Sequence, residues 1–276
     1  MTTLLPAIDI KPFLDEDMGT GDITAAIIPV TTHAVAKVIT REAMVLCGKS
    51  WFDAVFQHLD ENVSITWYAN EGESLPAGVT LCKLNGPARP LLTGERTALN
   101  LLQTLSATAT QAKLYADAVA GTPCKVLDTR KTLPGLRIAQ KYAVTCGGCY
   151  NHRIGLYDGV LIKENHIMAA GSISKAIQLA RELTSLTVEI EVESLKEFVE
   201  AIAAQPDRIM LDNFSLEALR VAVSMNNSAI ELEASGNIDL TNIRAIAETG
   251  VDFISIGALT KHIKAVDLSM RISLVN

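Results

Sequence analysis

The sequence is short of aromatic residues and has no long apolar runs. Aromatics make up 5% of 276 residues, so Ala, Leu, Ile and Val must supply the core. Short branched side chains of that kind suit the layer between a sheet and its helices. No apolar stretch is long enough to cross a bilayer. The N-terminus lacks a basic region followed by an apolar run, so no signal peptide is expected. An excess of positive charge is absent too. The formal net charge is −7, which argues against nucleic acid or an anionic membrane as a general partner. Cysteine is scarce and odd in number: Cys47, Cys82, Cys124, Cys146 and Cys149. That pattern fits reduced thiols in a cytoplasmic protein better than a disulfide scaffold. Low-complexity segments and long linkers are missing as well.

What is present is an ordinary globular composition, 49% hydrophobic and 20% charged, long enough for one large domain or two smaller ones. Residues up to about Gly94 read as mixed α/β. Pro6 to Asp22 holds short helical and turn signals. Ala34–Thr40 and Val63–Tyr68 carry the β-branched residues of strands, and Ser50–Asp60 reads as a helix. Ala98, Leu101, Leu102, Leu105, Ala109 and Ala112 then fall at helical spacing, with Thr93 as a candidate cap and Gly121 with Pro123 as the stop.

From Cys124 onward, strand and helix patterns alternate. The strand candidates are Lys125–Asp128, Gly159–Lys163, Val188–Val192, Ile209–Asp212, Ile230–Glu233 and Phe253–Ile256. Ser172 should cap one intervening helix, and Ser194 with Glu197 forms a capping box for the next. Further helices are marked by Leu216, Leu219 and Val223, and by Ile243, Ile246 and Ala247 before Gly250. Such alternation builds a parallel sheet. Polar residues stand at or just past six strand ends, which favours a β/α barrel over an open doubly wound sheet. The segment is short for eight units, so the barrel is expected to be incomplete or irregular.

The span from Lys125 to His166 carries seven basic residues against three acidic ones, inside an acidic chain. A local cationic field of this kind suits a small polyanion, although a solvated basic face is the plainer reading. Arg130 and Lys131 follow a strand directly. Arginine holds carboxylates and phosphates in bidentate fashion, while lysine is a mobile point charge. Cys146-Gly-Gly-Cys149 is a glycine-rich turn leading to His152 and Arg153, and Lys163 ends an apolar strand. Glu189, Glu191 and Glu193 share one strand face by the period of two. Such a face is costly to bury without a cation or ribose hydroxyls, unless some of it lies in water. Asp212 offers a second hard oxygen donor suited to Mg²⁺. Ser235-Gly236-Asn237 and Ile256-Gly257-Ala258 end the last two strands, where backbone N–H groups at helix N-termini would suit a phosphate. The C-x-x-C pair with His152 raises zinc or redox chemistry, against two plain thiols on a turn.

These residues also carry a family resemblance. Asp128-Thr-Arg-Lys-Thr-Leu-Pro-Gly-Leu-Arg137, Lys141-Tyr-Ala-Val, Asn151-His-Arg-Ile-Gly-Leu156 and Leu161-Ile-Lys-Glu-Asn-His-Ile167 resemble the quinolinate phosphoribosyltransferases. So do Met210-Leu-Asp-Asn213, Ser235-Gly-Asn237, Glu248-Thr-Gly-Val-Asp252, Gly257-Ala-Leu-Thr260, Glu16-Asp-Met-Gly-Thr-Gly-Asp-Ile-Thr24 and Gly94-Glu-Arg-Thr-Ala-Leu-Asn100. Cys149 stands where this family often has glycine. The resemblance implies an N-terminal α/β sandwich domain over residues 1–112 and an irregular, incomplete TIM-like β/α barrel over 113–266. Residues 267–276 would pack back on the first domain.

The resemblance further implies a homodimer in which Arg96 reaches the partner's site. It implies that Arg96, Arg130, His152 and Arg153 hold the carboxylates of quinolinate, with Thr129 beside them. Lys131 and Lys163 would meet substrate carboxylate, phosphate or pyrophosphate. Glu191 and Asp212 would serve the ribose hydroxyls and Mg²⁺. Ser235, Gly236, Asn237 and the Ile256, Gly257, Ala258 turn would hold the 5-phosphate. Lys131, Lys163, Glu191 and Asp212 are the expected catalytic set. The implied reaction is phosphoribosyl transfer from phosphoribosyl pyrophosphate to quinolinate with loss of CO₂, giving nicotinate mononucleotide in NAD biosynthesis. Alternatives remain: a sister phosphoribosyltransferase using nicotinate or serving molybdenum metabolism, a class I aldolase with Lys163 as Schiff base, or a non-catalytic binder of quinolinate.

Overall fold

A computed structural model describes residues 8–227 and 230–275. Pro6 at the start of the N-terminal turn signals, and Asn276, lie outside the described residues. The chain divides into two compact units. The first runs as far as Ala112 and includes Ile138–Gly147 and the chain from His262 onward; the second is Lys113–Arg137 with Gly148–Lys261.

In the first unit, β1 (His33–Thr40) alternates strictly, burying Ala34, Ala36, Val38 and Thr40. Alternation is what a half-covered strand requires. Two short strands, β2 (Met44–Val45) and β4 (Ser74–Leu75), pair with each other; β3 (Ser64–Trp67) and β5 (Thr80–Pro87) join the sheet of β1. Helix Lys49–Leu59 buries Trp51, Phe52, Val55 and Phe56 as one stripe.

The long helix starts earlier than expected, spanning Ala88–Ala118. Pro90 sits in its first turn, where no backbone donor is needed. Thr93 is therefore not its cap; the hydroxyl donates instead to Asp22 Oδ2 at 2.9 Å. A Cβ at Gly94 would lie 2.8 Å from Phe56 and Leu59, so glycine lets the two helices pack closely.

The second unit contains β6 (Lys125–Leu127), β7 (Val160–Ile162), β8 (Val188–Val192), β9 (Arg208–Asp212), β10 (Glu231–Ser235) and β11 (Phe253–Ser255). They form one parallel sheet in the order β6-β11-β10-β9-β8-β7. All six expected strands are present, with ends moved by at most two residues. Ser172, Ser194 and Ser215 cap the helices Ile173–Leu183, Leu195–Ala204 and Leu216–Met225. The Ser194 box closes differently from expectation. Glu197 reaches back to the N–H of Glu193, one residue before the cap. The helices Arg137–Cys146 and Glu164–Ala170 were not foreseen, whereas Ala258–Lys261 follows the Gly257 turn where a helix N-terminus was expected. The last strand, β12 (Leu268–Val275), pairs with β1 in the first unit.

Six strands are fewer than the eight of a full β/α barrel, and no ladder joins β6 to β7 among the described residues. The sheet is nonetheless strongly curled. Laid flat, β6 and β8 would be about 19 Å apart, at about 4.8 Å per strand. Yet Tyr150 bridges Leu127 of β6, and His152, two residues on, meets Glu189 of β8 at 2.8 Å. The α/β class and the sheet of β/α units are as the sequence indicates.

Candidate active site

The inner face of the parallel sheet follows from the period of two. Leu161 and Lys163 continue one strand line, Glu189 and Glu191 a second, Met210 and Asp212 a third, Glu233 and Ser235 a fourth. Register sets their depth: Glu189 lies opposite Arg208, Glu191 and Glu233 flank Met210, and Ser235 lies opposite Asp212. Polar side chains thus stack in rows that rise toward the C-terminal strand ends, where ligands bind in such sheets.

A cavity of about 300 Å³ opens there. Thr129, Arg130, Lys131, His152, Arg153, Lys163, Glu191, Asp212 and Ser235 line it, so nine of the expected residues meet in one place. Leu161, Met210 and Ser255 complete the wall. The first two give a flat ring an apolar surface, a contribution the sequence reading missed.

The cationic side is held by its own scaffold. Arg137 ties down the Arg130 loop, giving Nε to Thr132 at 3.1 Å and Nη1 to the Ile154 carbonyl at 3.3 Å. Thr260 donates to the Lys131 carbonyl at 2.9 Å. The Nε of Arg130 is buried with no acceptor among the described residues. A buried donor without a partner costs about 1–3 kcal/mol, a cost that an anionic ligand would remove. Burial, then the charge of Arg130, lower the proton affinity of Arg153. Two guanidiniums that repel one another strongly attract a dianion between them.

Opposite them lies the acidic side. Lys163 forms an ion pair with Glu191. Burial, then the Glu191 charge, raise the Asp212 carboxyl above its ordinary range, while Ser235 donates to it. Glu191, Glu193 and Asp212 can each turn one oxygen to within 4.8 Å of the others. Hard oxygen donors at this spacing fit a divalent cation such as Mg²⁺.

Beneath the cavity is a second acidic group. Glu189 and Glu233 are 3% and 0% exposed, and each has an oxygen without a partner among the described residues. His152 Nε2 lies 2.8 Å from Glu189 and 3.6 Å from Glu233. Arg208 Nη1 reaches Glu233 at 3.2 Å. Burial raises both carboxyls to about 7, and the mutual repulsion adds to that of Glu233. Glu233 and Arg208 escaped the sequence reading. The alternation Glu231-Leu-Glu233, like that around Glu191, was the available signal.

The remaining expectations divide. Arg96 is exposed on the helix of the first unit and does not line this cavity. Ile256 is 2% exposed and buries its side chain in the core; its N–H donates to the Leu127 carbonyl at 2.9 Å. Ser235-Gly236-Asn237 does not sit at a helix N-terminus, because the next helix is Ile243–Ala247. It is instead a left-handed turn, with Gly236 at φ +91° and Asn237 at φ +50°. Asn237 donates to Asn213 Oδ1 at 2.9 Å, and Asn213 is itself at φ +56°. A Cβ on Gly236 would fall 2.3 Å from that oxygen. Gly257 packs against Lys131 and Thr129, and Ala258 opens a helix of four residues.

The C-x-x-C pair does not form a metal cluster. Cys146 groups with Cys47 and Glu71 in the first unit. Cys149 is buried, its thiol pushed up to about 12 by burial, and it joins no candidate metal cluster among the described residues.

Residues 22–106 match the N-terminal domain model of quinolinate phosphoribosyl transferase, and residues 108–271 its C-terminal domain model. The chain belongs to the quinolinate phosphoribosyl transferase family. It is 43% identical over 281 residues to a probable nicotinate-nucleotide pyrophosphorylase (carboxylating) of Synechocystis, spanning 99% of this chain and 95% of that one. The corresponding Bacillus subtilis protein is 41% identical over 269 residues, covering 97% and 93%. The solved nicotinate-nucleotide pyrophosphorylase of Francisella tularensis superposes with a TM-score of 0.92 at 50% identity, covering 96% of this chain and 94% of its own. Both family domains are thus represented, and the cavity lies wholly within the residues matched by the second.

Proposed function

We propose that this member of the quinolinate phosphoribosyl transferase family transfers phosphoribose from phosphoribosyl pyrophosphate to quinolinate, with loss of CO₂. The products are nicotinate mononucleotide and pyrophosphate. The observation that carries this reading is the single cavity in which Arg130, Lys131, Arg153 and Lys163 face Glu191 and Asp212. Arg130 and Arg153 suit the two carboxylates of quinolinate, and Leu161 with Met210 suit the ring. Lys131 and Lys163 suit the phosphates.

The ring nitrogen forms a bond to the anomeric carbon, and the bond from that carbon to pyrophosphate breaks with its electrons on the leaving oxygen. The cationic ring nitrogen then accepts the electron pair released as the adjacent carboxylate departs as CO₂, and a proton takes its place. Holding both anions in one cationic cavity lowers the entropic part of the barrier. Fixed charges there stabilise the leaving group. Glu191 and Asp212 would hold Mg²⁺ jointly with substrate, and the ion would neutralise pyrophosphate oxygens.

Arg96 is assigned to a partner's cavity in a homodimer; its exposure outside its own chain's cavity supports this role. A cytoplasmic setting goes with five cysteines that form no disulfide; no described helix is long and apolar enough to cross a membrane. The aldolase reading fits poorly, because Lys163 is engaged by Glu191 and a Schiff-base lysine needs a free amine.

The test is direct. Purified protein is incubated with phosphoribosyl pyrophosphate, Mg²⁺ and either quinolinate or nicotinate, while mononucleotide and CO₂ are followed. Product with quinolinate alone is expected. Product with nicotinate alone would move the protein to a sister activity. Arg130→Ala is expected to bring turnover below detection, and near-normal activity would remove its assigned role.

A further inference from the structure

Glu189 and Glu233 beneath the cavity, and the His152 ring that joins them to its wall, are not used by the reaction just described. Their geometry restricts His152 closely. Nδ1 lies 2.8 Å from the backbone N–H of Arg153, so it accepts and carries no proton. The remaining ring proton is therefore on Nε2, which faces Glu189 at 2.8 Å and Glu233 at 3.6 Å. Both ring nitrogens are engaged, and in this arrangement the ring keeps no N–H for the cavity. The same short segment is tied at two further points. Asp128 accepts from the His152 N–H at 2.9 Å and from Asn151 Nδ2 at 2.7 Å, and Arg153 Nη1 donates to the Gly159 carbonyl at 3.1 Å. What this frame delivers to the cavity is the Arg153 guanidinium, beside Arg130.

We propose that Glu189 and Glu233 are positioning residues: Glu189 by accepting from His152 Nε2–H, and Glu233 by lying 3.6 Å from the same nitrogen, fix the ring, and through it aim Arg153 at a substrate carboxylate. The role rests on the proposed function for its substrate, but its geometry does not. A buried carboxylate pair is expensive, since each charge loses its hydration and repels the other. Packing apolar side chains there would be cheaper for stability alone. The pair is balanced by Arg208 from below; above, both face His152, and the Ser255 hydroxyl also donates to Glu233. An orienting carboxylate behind a histidine is a recurrent way to set tautomer and ring angle.

Two measurements test this. In steady-state kinetics, Glu189→Leu and Glu233→Leu are expected to raise the KM for quinolinate at least tenfold. The KM for phosphoribosyl pyrophosphate should stay within about twofold. Glu189→Gln, whose amide oxygen still accepts from Nε2–H, should restore most of that loss. Equal effects on both KM values, or no rescue by glutamine, would overturn the proposal. The second measurement needs no turnover. Nitrogen-15 NMR of the histidine-labelled full chain, with the His152 signal assigned by its loss in His152→Asn, should show a neutral Nε2–H tautomer. That signature should blur in Glu189→Leu. An Nδ1–H tautomer or an imidazolium at neutral pH would sink the idea even if the wild type acted on neither pyridine acid. A wild type inactive on quinolinate but with the expected tautomer would instead count against the substrate assignment alone.

Discussion

Glu189 and Glu191 stand two residues apart on one strand face, yet they live in different chemical worlds. Glu191 lies at the rim, paired with Lys163 and near Asp212, in reach of solvent and substrate. Glu189 lies one row deeper, almost sealed, with Glu233, His152 and Arg208 around it. At the rim, Glu191 pairs with a lysine that also lines the cavity. At the floor, burial favours the protonated acid, so the carboxyls serve as hydrogen-bonding groups that orient a neighbour. Two residues along one strand, not residue type, separate Glu191 from Glu189, while Glu233, level with Glu191 in register, is brought to the floor by the curl of the sheet.

The largest expected effect tests the rim. Glu191→Gln should lower kcat by about 10²–10³, in the range seen when a charge-stabilising group is removed. It should also weaken the Mg²⁺ dependence of turnover. A Glu191→Gln variant with a normal Mg²⁺ titration would merge the two acidic groups into one structural cluster.

Next come the glycine turns above the rim. Gly236→Ala must be accommodated at φ +91° and against Asn213 at 2.3 Å, so backbone has to shift. A loss of about 10–100-fold in kcat/KM is expected, equivalent to about 1.4–2.7 kcal/mol. At Gly257 a Cβ would lie 2.9 Å from Lys131 Cδ, a flexible chain that can move aside. Gly257→Ala should therefore cost only a few-fold, mainly in KM for phosphoribosyl pyrophosphate. A reversed order would mean that the Gly236 turn does not shape the site.

The smallest effect sharpens the floor. Both floor carboxyls are raised to about 7, so the folded state holds protons that the unfolded chain releases above about 4.5. Their contribution to stability is fully present below about 4.5 and declines as pH rises through about 7. Asp22, Asp207 and Asp239 are lowered and act oppositely, but only below their ordinary value of 3.8. The melting temperature should therefore drop between pH 5 and pH 8, at about 2–4 °C for each kcal/mol lost. The Glu189→Gln/Glu233→Gln double variant should flatten that slope; an unchanged slope would assign it elsewhere.

Much of the site was legible from sequence. Arg130, Lys131, Lys163 and Asp212 follow or end apolar strands, and a strand end is readable from hydrophobic pattern and a turn. The chain-order match to a known family named the same positions independently. What stayed hidden were partners fixed by curvature. Glu233 and His152 are 81 positions apart in sequence, and nothing local says that they meet. Thr93 misled because capping is a local signal, while the true start at Ala88 depends on where Pro90 can be tolerated. The C-x-x-C motif had left two readings side by side, a metal or redox pair and two plain thiols on a turn. Packing separates the two thiols: Cys146 groups with Cys47 and Glu71, while Cys149 is buried elsewhere.

The sequence by itself determined the α/β class, the six parallel strands and the residues at their C-terminal ends. Those follow from short-range periodicity, which the backbone geometry of strand and helix imposes on any core. Only the tertiary structure decided which carboxylates form the rim and which the floor. That choice depends on register and sheet curl, and these bring together side chains on strands that are not neighbours in the sheet.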